Sequence, residues 1–105
     1  MTRALLIDPI SQTISEVSLP DGIASIKSLI GQDSIDSDEV GHQNDRLYFD
    51  ESCFIRATPE AKRFKLDTLA PVAGRGVVVS SSDEGKSLQD SHLSIDDLKA
   101  RVSFS

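Results

Sequence analysis

Residues 72–86 read VAGRGVVVSSSDEGK, and this stretch decides the fold because it joins two glycines to a β-branched run. Its three consecutive valines, residues 77–79, form the most β-prone part of the chain, which is typical of a strand inside a sheet. Gly74 and Gly76 precede the valines. We therefore interpret these glycines as residues of a tight turn or bulge where the strand begins.

The same stretch contains the residue types of a phosphate-binding loop, including a glycine-lysine pair, Gly85 and Lys86. A nucleotide-binding glycine loop follows a strand and leads into a helix whose N-terminal amides face the phosphate. Here the order is reversed, because Gly74 and Gly76 lead into a strand, and the G-x-x-x-x-G-K spacing is missing. The sequence therefore favours glycines that shape the backbone.

The beginning of the chain predicts a β-hairpin. Residues 4–7 form a continuous apolar run that ends at Asp8 and Pro9, where proline lacks the N–H needed for a sheet hydrogen bond. Residues 13–19 alternate between apolar and polar side chains, the pattern of a strand with one solvated face. We expect the first of these strands to lie centrally in the sheet.

An amphipathic helix is predicted directly after the hairpin. Asp21 is placed to cap its N-terminus with a carboxylate, and Gly31 is placed to end it in a left-handed conformation. The apolar stripe that would face the core consists of Ile23, Ile26, Leu29 and Ile30.

The middle of the chain predicts short β elements separated by loops. Residues 32–45 are mostly polar and acidic, which indicates a loop with a short strand. Residues 46–50 and 52–56 are two β-rich runs that predict a second hairpin. Residues 64–67 fit either one more strand or a loop that docks Phe64 and Leu66 in the core.

The C-terminal region predicts a polar loop, residues 80–93, and then a short helix, residues 94–102. Ser94 is placed to cap this helix, with Asp97 as the acidic member of a capping box. The order of elements predicts an α+β fold with a small, mostly antiparallel sheet, an early amphipathic helix and a short C-terminal helix. We expect a single domain, residues 1–105, with a compact core at residues 3–80.

Composition argues against several classes of function. The net charge of −6 repels phosphate backbones, and five aromatic residues with no tryptophan argue against a platform for base stacking, so we expect no direct nucleic-acid binding. The chain has one cysteine, which cannot form an intramolecular disulfide. It also has no apolar run long enough for a secretory signal or a membrane span. We expect a cytoplasmic protein that does not bind membranes.

No combination of residues predicts catalysis, a cofactor or a strong metal site. Cys53 with His42 or His92 fits no catalytic motif, and a lone cysteine in a strand is typically a small buried residue. Residues 36–41 are similar to the start of a calcium loop, but Val40 and Leu47 occupy positions that require oxygen ligands. A weak cation site is left open among the acids of this region, namely Asp33, Asp36, Asp38 and Glu39.

Charge is segregated along the chain, and this is the most informative functional feature of the sequence. Residues 33–51 carry seven acids and one base, whereas residues 56–75 carry five bases and two acids. Such a distribution favours a charged protein partner or head-to-tail self-association, and solvated faces are the alternative. The residues we expect to bind a partner are Asp36, Asp38, Glu39, Arg56, Lys62, Arg63 and Lys65.

Two other functions are kept as alternatives. In the first, Arg75 and Lys86 hold an anionic small molecule or nucleotide over residues 80–82. In the second, the acidic chain mimics nucleic acid and binds a basic protein. The leading hypothesis is a small non-enzymatic accessory domain that binds a protein partner or another copy of itself.

Four segments resemble the family catalogued as domain of unknown function 3846, and the resemblance spans roughly residues 3–85. They are residues 4–9 (ALLIDP), 21–23 (DGI), 47–51 (LYFDE) and 74–79 (GRGVVV). The chain departs from the family in having no asparagine-proline segment after its middle. The resemblance implies a compact accessory domain from bacteria, phages or plasmids, a mobile-element setting, and no transferable catalytic residues.

Overall fold

The fold is seen in a computed structural model that describes residues 2–31, 33–40, 45–51, 62–66, 72–82, 87–91 and 94–104. Several predictions fall outside these residues and stay predictions. They concern the proposed strand at 52–56 and the side chains of His42, Cys53, Arg56, Lys86 and His92.

The described elements belong to an α+β fold, as predicted from the order of strands and helices. In chain order they are β1 (Thr2–Asp8), β2 (Thr13–Leu19), α1 (Ile23–Ile30), β3 (Ile35–Glu39), β4 (Asp45–Asp50), β5 (Arg63–Leu66), β6 (Val72–Ala73), β7 (Gly76–Ser82), β8 (Ser87–Gln89), α2 (Ile95–Arg101) and β9 (Val102–Phe104). Every pairing among them is antiparallel.

The larger sheet is built around the valine run of β7. Its strand order is β2-β1-β7-β4-β3, with β8 paired to the far end of β7. Val77, Val78 and Val79 are fully buried, which confirms that this run lies inside the sheet. The predicted hairpin is also confirmed, because β1 pairs with β2 along its whole length and lies between β2 and β7.

Two hydrophobic layers cover the opposite faces of the larger sheet, because its central strands β1, β7 and β4 carry apolar residues on both faces. On one face, Ala4, Val77 and Val79 pack with Ile26 of α1. On the other face, Leu5 and other apolar residues pack with a second sheet, of strand order β6-β5-β9, and with Leu98 of α2. The fold therefore has three layers, with α1 on one side and the small sheet and α2 on the other.

Gly74, just before β7, and Gly76, its first residue, have the backbone roles that the sequence predicts for glycines at the start of this strand. Gly74 adopts a positive φ of 89° between β6 and β7, a conformation that glycine adopts without strain. A Cβ atom on Gly76 would lie 2.6 Å from Cζ of Phe64 and 2.8 Å from Cδ1 of Leu47. Gly76 therefore lets the small sheet approach the larger one.

The middle of the chain differs from the sequence prediction in its pairing. Strand β4 is present, but over residues 46–48 it pairs with β3 on one edge and with β7 on the other. These residues therefore have no free edge for the predicted hairpin with 52–56. Residues 80–82 and 87–89, which we expected to belong to a polar loop, pair as strands β7 and β8.

The two helices begin in different ways. Asp21 does not cap α1, because the N-cap is Gly22 without a side-chain hydrogen bond, and the Asp21 N–H instead donates to Ser25 Oγ at 2.9 Å. Gly31 ends α1 with a φ of 84°, as predicted.

Helix α2 begins with the predicted capping box. The Ser94 N–H donates to Asp97 Oδ2 at 3.0 Å, and the Asp97 N–H donates to Ser94 Oγ at 3.1 Å. The pKa of the Asp97 carboxyl is lowered, chiefly because the Ser94 backbone N–H bonds its charged form and also because of the Ser94 side chain and the positive charge of Arg101.

Candidate binding surface

The acidic residues of β3 lie on an outer strand of the larger sheet. In the register with β4, Asp36 is opposite Phe49 and Asp38 is opposite Leu47. Both aspartates are exposed, whereas both of their partners on β4 are buried. The pairing therefore holds a polar strand, IDSDE, at the rim of the hydrophobic core.

The backbone of β3 alternates between groups that face β4 and groups that face outward. The Glu51 N–H donates to the Ser34 carbonyl at 3.1 Å, and the Val40 N–H donates to the Asp45 carbonyl at 3.0 Å. In an antiparallel ladder such hydrogen-bonded pairs alternate with pairs that face away from each other. Ile35, Ser37 and Glu39 therefore direct their backbone N–H and C=O groups away from β4.

Side chains cover the centre of this outer edge. The Ser37 N–H donates to Oδ1 of Asp36 at 2.8 Å. The Ser37 carbonyl accepts a hydrogen bond from Nη2 of Arg46 at 3.2 Å. Because both outward groups of Ser37 already have partners, the middle of the β3 edge is protected against the addition of another strand.

A groove of about 400 Å³ lies between β3 and α1. Its lining includes apolar groups of Ile23, Ile35 and Tyr48, and four charged side chains, Lys27, Asp33, Asp36 and Glu51. Asp33, Asp36 and Glu51 are exposed. No cation of the described part of the chain lies within ion-pair distance of these three carboxylates.

The predicted basic residues that the structure describes lie on a different layer. Phe64 and Leu66 of β5 point into the core, so the alternating positions 63 and 65 face outward. Lys62 and Lys65 are exposed, and Arg63 is half-buried. Among the described residues that were predicted to bind partners, Asp36 and Asp38 therefore lie on the edge strand of the larger sheet, whereas Lys62, Arg63 and Lys65 lie at or next to β5 of the small sheet.

Arg75 is not close to the serines over which we predicted an anion site. It lies just before β7, whereas residues 80–82 end this strand, and a rise of about 3.3 Å per residue separates them by about 20 Å. Nε of Arg75 instead lies 3.4 Å from Oδ2 of Asp8, and Ser80 is buried. The geometry of the described residues thus does not favour the anionic-ligand alternative.

A buried polar group was not anticipated from the sequence. Asp45 is 1% exposed, and its Oδ2 accepts a hydrogen bond of 2.8 Å from the Ser91 hydroxyl. Asp45 begins β4 and lies opposite Ser80, which is also buried. The only available signal was an acidic residue directly before a β-rich run, which is equally typical of a loop.

The described residues contain no group of three or more His, Cys, Asp or Glu side chains arranged to hold a metal ion. None of their helices is long and apolar enough to cross a bilayer.

Comparisons with known proteins found no match among the protein-family models, the curated proteins or the solved structures. The resemblance to domain of unknown function 3846 therefore stays a prediction.

Proposed function

We propose that this chain is a non-enzymatic interaction domain that binds a basic segment of a protein partner on its acidic surface, defined as the groove-lining carboxylates of Asp33, Asp36 and Glu51. The observation that supports this proposal is the groove between β3 and α1, which combines apolar groups with exposed carboxylates. A segment in which basic and apolar residues alternate would match both kinds of group.

Electrostatics favour such a partner over an acidic one. The chain carries a net charge of −6, so a basic segment is attracted at long range and approaches faster at low salt. Because the centre of the β3 edge is covered by Asp36 and Arg46, side chains rather than a continuous backbone ladder would make most of the contact. Binding of this kind weakens as salt screens the charges.

A fluorescently labelled peptide of alternating lysine and valine is the probe that tests this proposal. We expect it to bind with an affinity that falls between about 50 mM and about 500 mM salt, whereas a glutamate-valine peptide does not bind. The double variant Asp33→Asn, Asp36→Asn removes two carboxylates that line the groove. It should bind the lysine peptide about ten-fold more weakly, which corresponds to about 0.7 kcal/mol for each lost charge.

The matched control is the double variant Lys62→Gln, Lys65→Gln, which removes two exposed charges from the other layer. It should bind the lysine peptide at least as tightly as the unchanged protein. The proposal fails if the asparagine variant binds as the unchanged protein does, or if the glutamate peptide binds equally well.

The basic residues at and just before β5 offer a second contact if the partner is another copy of the chain. Reversal of Lys62, Arg63 and Lys65 to glutamate then lowers the average mass in sedimentation equilibrium at low salt. An unchanged mass and unchanged capture of partners at low and high salt reject these three bases as the contact.

A further inference from the structure

The two outer strands of the larger sheet, β2 and β3, differ in whether the backbone groups on their outer edges have hydrogen-bond partners within the described residues. The backbone hydrogen bonds of Arg3 on β1 reveal which residues of β2 direct their own backbone groups away from β1. The Arg3 N–H donates to Asp90 Oδ1 at 2.8 Å, and the Arg3 carbonyl accepts from the Ser91 N–H at 3.0 Å. Arg3 therefore turns its backbone groups away from β2. Since Arg3 is opposite Ser18, this pair is one that does not exchange hydrogen bonds.

Successive residues of β2 therefore alternate between those that hydrogen-bond β1 and those whose backbone groups face outward. Ile14, Glu16 and Ser18 direct their backbone N–H and C=O groups away from β1. Within the described residues, no side chain or strand bonds these outward groups. The strand is seven residues long and contains neither lysine nor proline, and its one charged side chain, Glu16, is paired with Arg3 of the same chain.

We propose that β2 pairs with β2 of a second copy of this chain, antiparallel about a twofold axis at Val17, so that the two larger sheets become continuous. Because only residues 14, 16 and 18 direct backbone groups outward, the hydrogen bonds between the two copies must join these residues to one another. An axis at Glu16 would place two carboxylates directly opposite each other, which is destabilising. An axis at Ser15 would place Glu16 opposite Ile14.

The axis at Val17 gives complementary neighbours. It places Glu16 opposite Ser18 of the second copy, and it places the two Val17 side chains beside each other at the margin of the apolar layer under α1. On its own chain, Glu16 Oε2 already lies 2.9 Å from Arg3 Nε. Because Arg3 is opposite Ser18, each Glu16 would lie between its own Arg3 and that of the second copy.

The layers on either side of β2 leave room for this pairing. Helix α2 packs against β2, but Glu16 and Ser18 are exposed, so the helix does not cover the half of the strand at the proposed axis. Val17 is half-buried on the α1 side, and the second Val17 would shield the part that now faces solvent.

A cysteine introduced at position 17 tests both the dimer and its axis. The two residues at the axis form a pair without mutual hydrogen bonds, whose Cα atoms lie about 4.5 Å apart, within the range of a disulfide. In a Cys53→Ser background, Val17→Cys should form an intermolecular disulfide under mild oxidation. The matched control Ser15→Cys should not, because it faces Leu19 of the second copy. Equal cross-linking of both variants overturns the proposed axis.

Sedimentation equilibrium at about 100 µM protein tests the backbone pairing. The protein should have twice its monomer mass, and Ser18→Pro, which removes an outward N–H without touching the bonds to β1, should weaken dimerisation at least about ten-fold. The control Ser18→Ala should change it by less than about two-fold. The proposal is overturned if the protein is a monomer and its Val17→Cys variant forms no disulfide, even if the β2 edge of that monomer binds a strand of another protein. It is also overturned if the Ser18→Pro variant dimerises as tightly as the unchanged protein.

Discussion

Arg46 and Ser37 are joined across two neighbouring strands by two hydrogen bonds from one guanidinium group. Nε of Arg46 donates to Ser37 Oγ at 2.9 Å, and Nη2 donates to the Ser37 carbonyl at 3.2 Å. The arginine thus ties β4 to β3 and covers an outward-facing acceptor at the same time. It supports the acidic strand that forms one wall of the proposed binding groove.

Replacing Arg46 with alanine should destabilise the fold and open the β3 edge. The loss of both hydrogen bonds should lower the free energy of unfolding by about 1–2 kcal/mol, measured by urea denaturation. The variant should also scatter more light on mild heating, because the uncovered edge can pair with other chains. Lys65→Ala is the control and should change stability by less than about 0.5 kcal/mol. Equal stability of both variants would contradict this role.

Gly76→Ala should destabilise the protein through overpacking between the two sheets. The added Cβ would lie 2.6 Å from Phe64 Cζ, and because Phe64 is fully buried its ring can shift only by displacing neighbouring core residues. We expect a loss of about 1–3 kcal/mol in the free energy of unfolding. The double variant Gly76→Ala, Phe64→Leu should lose less than the sum of the two single variants, because the smaller side chain makes room. Additive losses would show that the contact is not the cause.

Ser91→Ala should destabilise the fold through the buried carboxylate of Asp45. The hydroxyl that bonds Oδ2 at 2.8 Å would be lost where Asp45 is 1% exposed. The expected loss is about 1–3 kcal/mol, measured by urea denaturation at neutral pH. Ser28→Ala, on the exposed side of α1, is the matched control and should be close to neutral. A neutral Ser91→Ala would mean that this hydrogen bond does not help to hold the buried carboxylate.

The capping box of α2 predicts a dependence of stability on acidic pH. The pKa of Asp97 is lowered in the fold, so its charged form stabilises the protein above the pKa of the unfolded chain, about 4. This contribution is lost as pH falls through the lower pKa of the folded state. The variant Asp97→Asn should therefore lose less stability than the unchanged protein between pH values of about 4 and 2.

The companion variant Ser94→Ala should lower the free energy of unfolding by about 1 kcal/mol at neutral pH, because it removes the N-cap hydroxyl. Urea denaturation across the acidic range measures both effects. Identical acid profiles for the unchanged protein and Asp97→Asn would be inconsistent with a stabilising role of the carboxylate.

The parts of the fold that could be predicted from the sequence are those determined by local pattern. The valines of β7 and the hairpin of β1 and β2 are apolar runs bounded by turn residues, and Gly31 ends α1 where a left-handed residue is required. The pairing of β5 with β9 was not predictable, because it joins distant segments without a local signal. Strand β3 was only partly anticipated, because aspartates disfavour strands and pairing with β4 overrides that preference.

The candidate surface could also be predicted only in part from the sequence. The acidic and basic residues could be identified from the segregation of charge, but their placement on different layers follows from sheet topology, which charge does not determine. The groove could not be predicted from the sequence either. Ile23 of α1 and Ile35 of β3 line it together only because α1 packs across the sheet. The prediction that Asp21 caps α1 was wrong, because the N-cap residue is Gly22.

The most direct test of the proposed function is a map of backbone amide shifts when the lysine-valine peptide is added to the isotope-labelled protein. The proposal predicts that the largest shifts lie at β3, at Lys27 of α1 and at Glu51, and that they shrink as salt increases. Shifts confined to β5, or no shifts at peptide concentrations of about 1 mM, would contradict binding at the acidic surface.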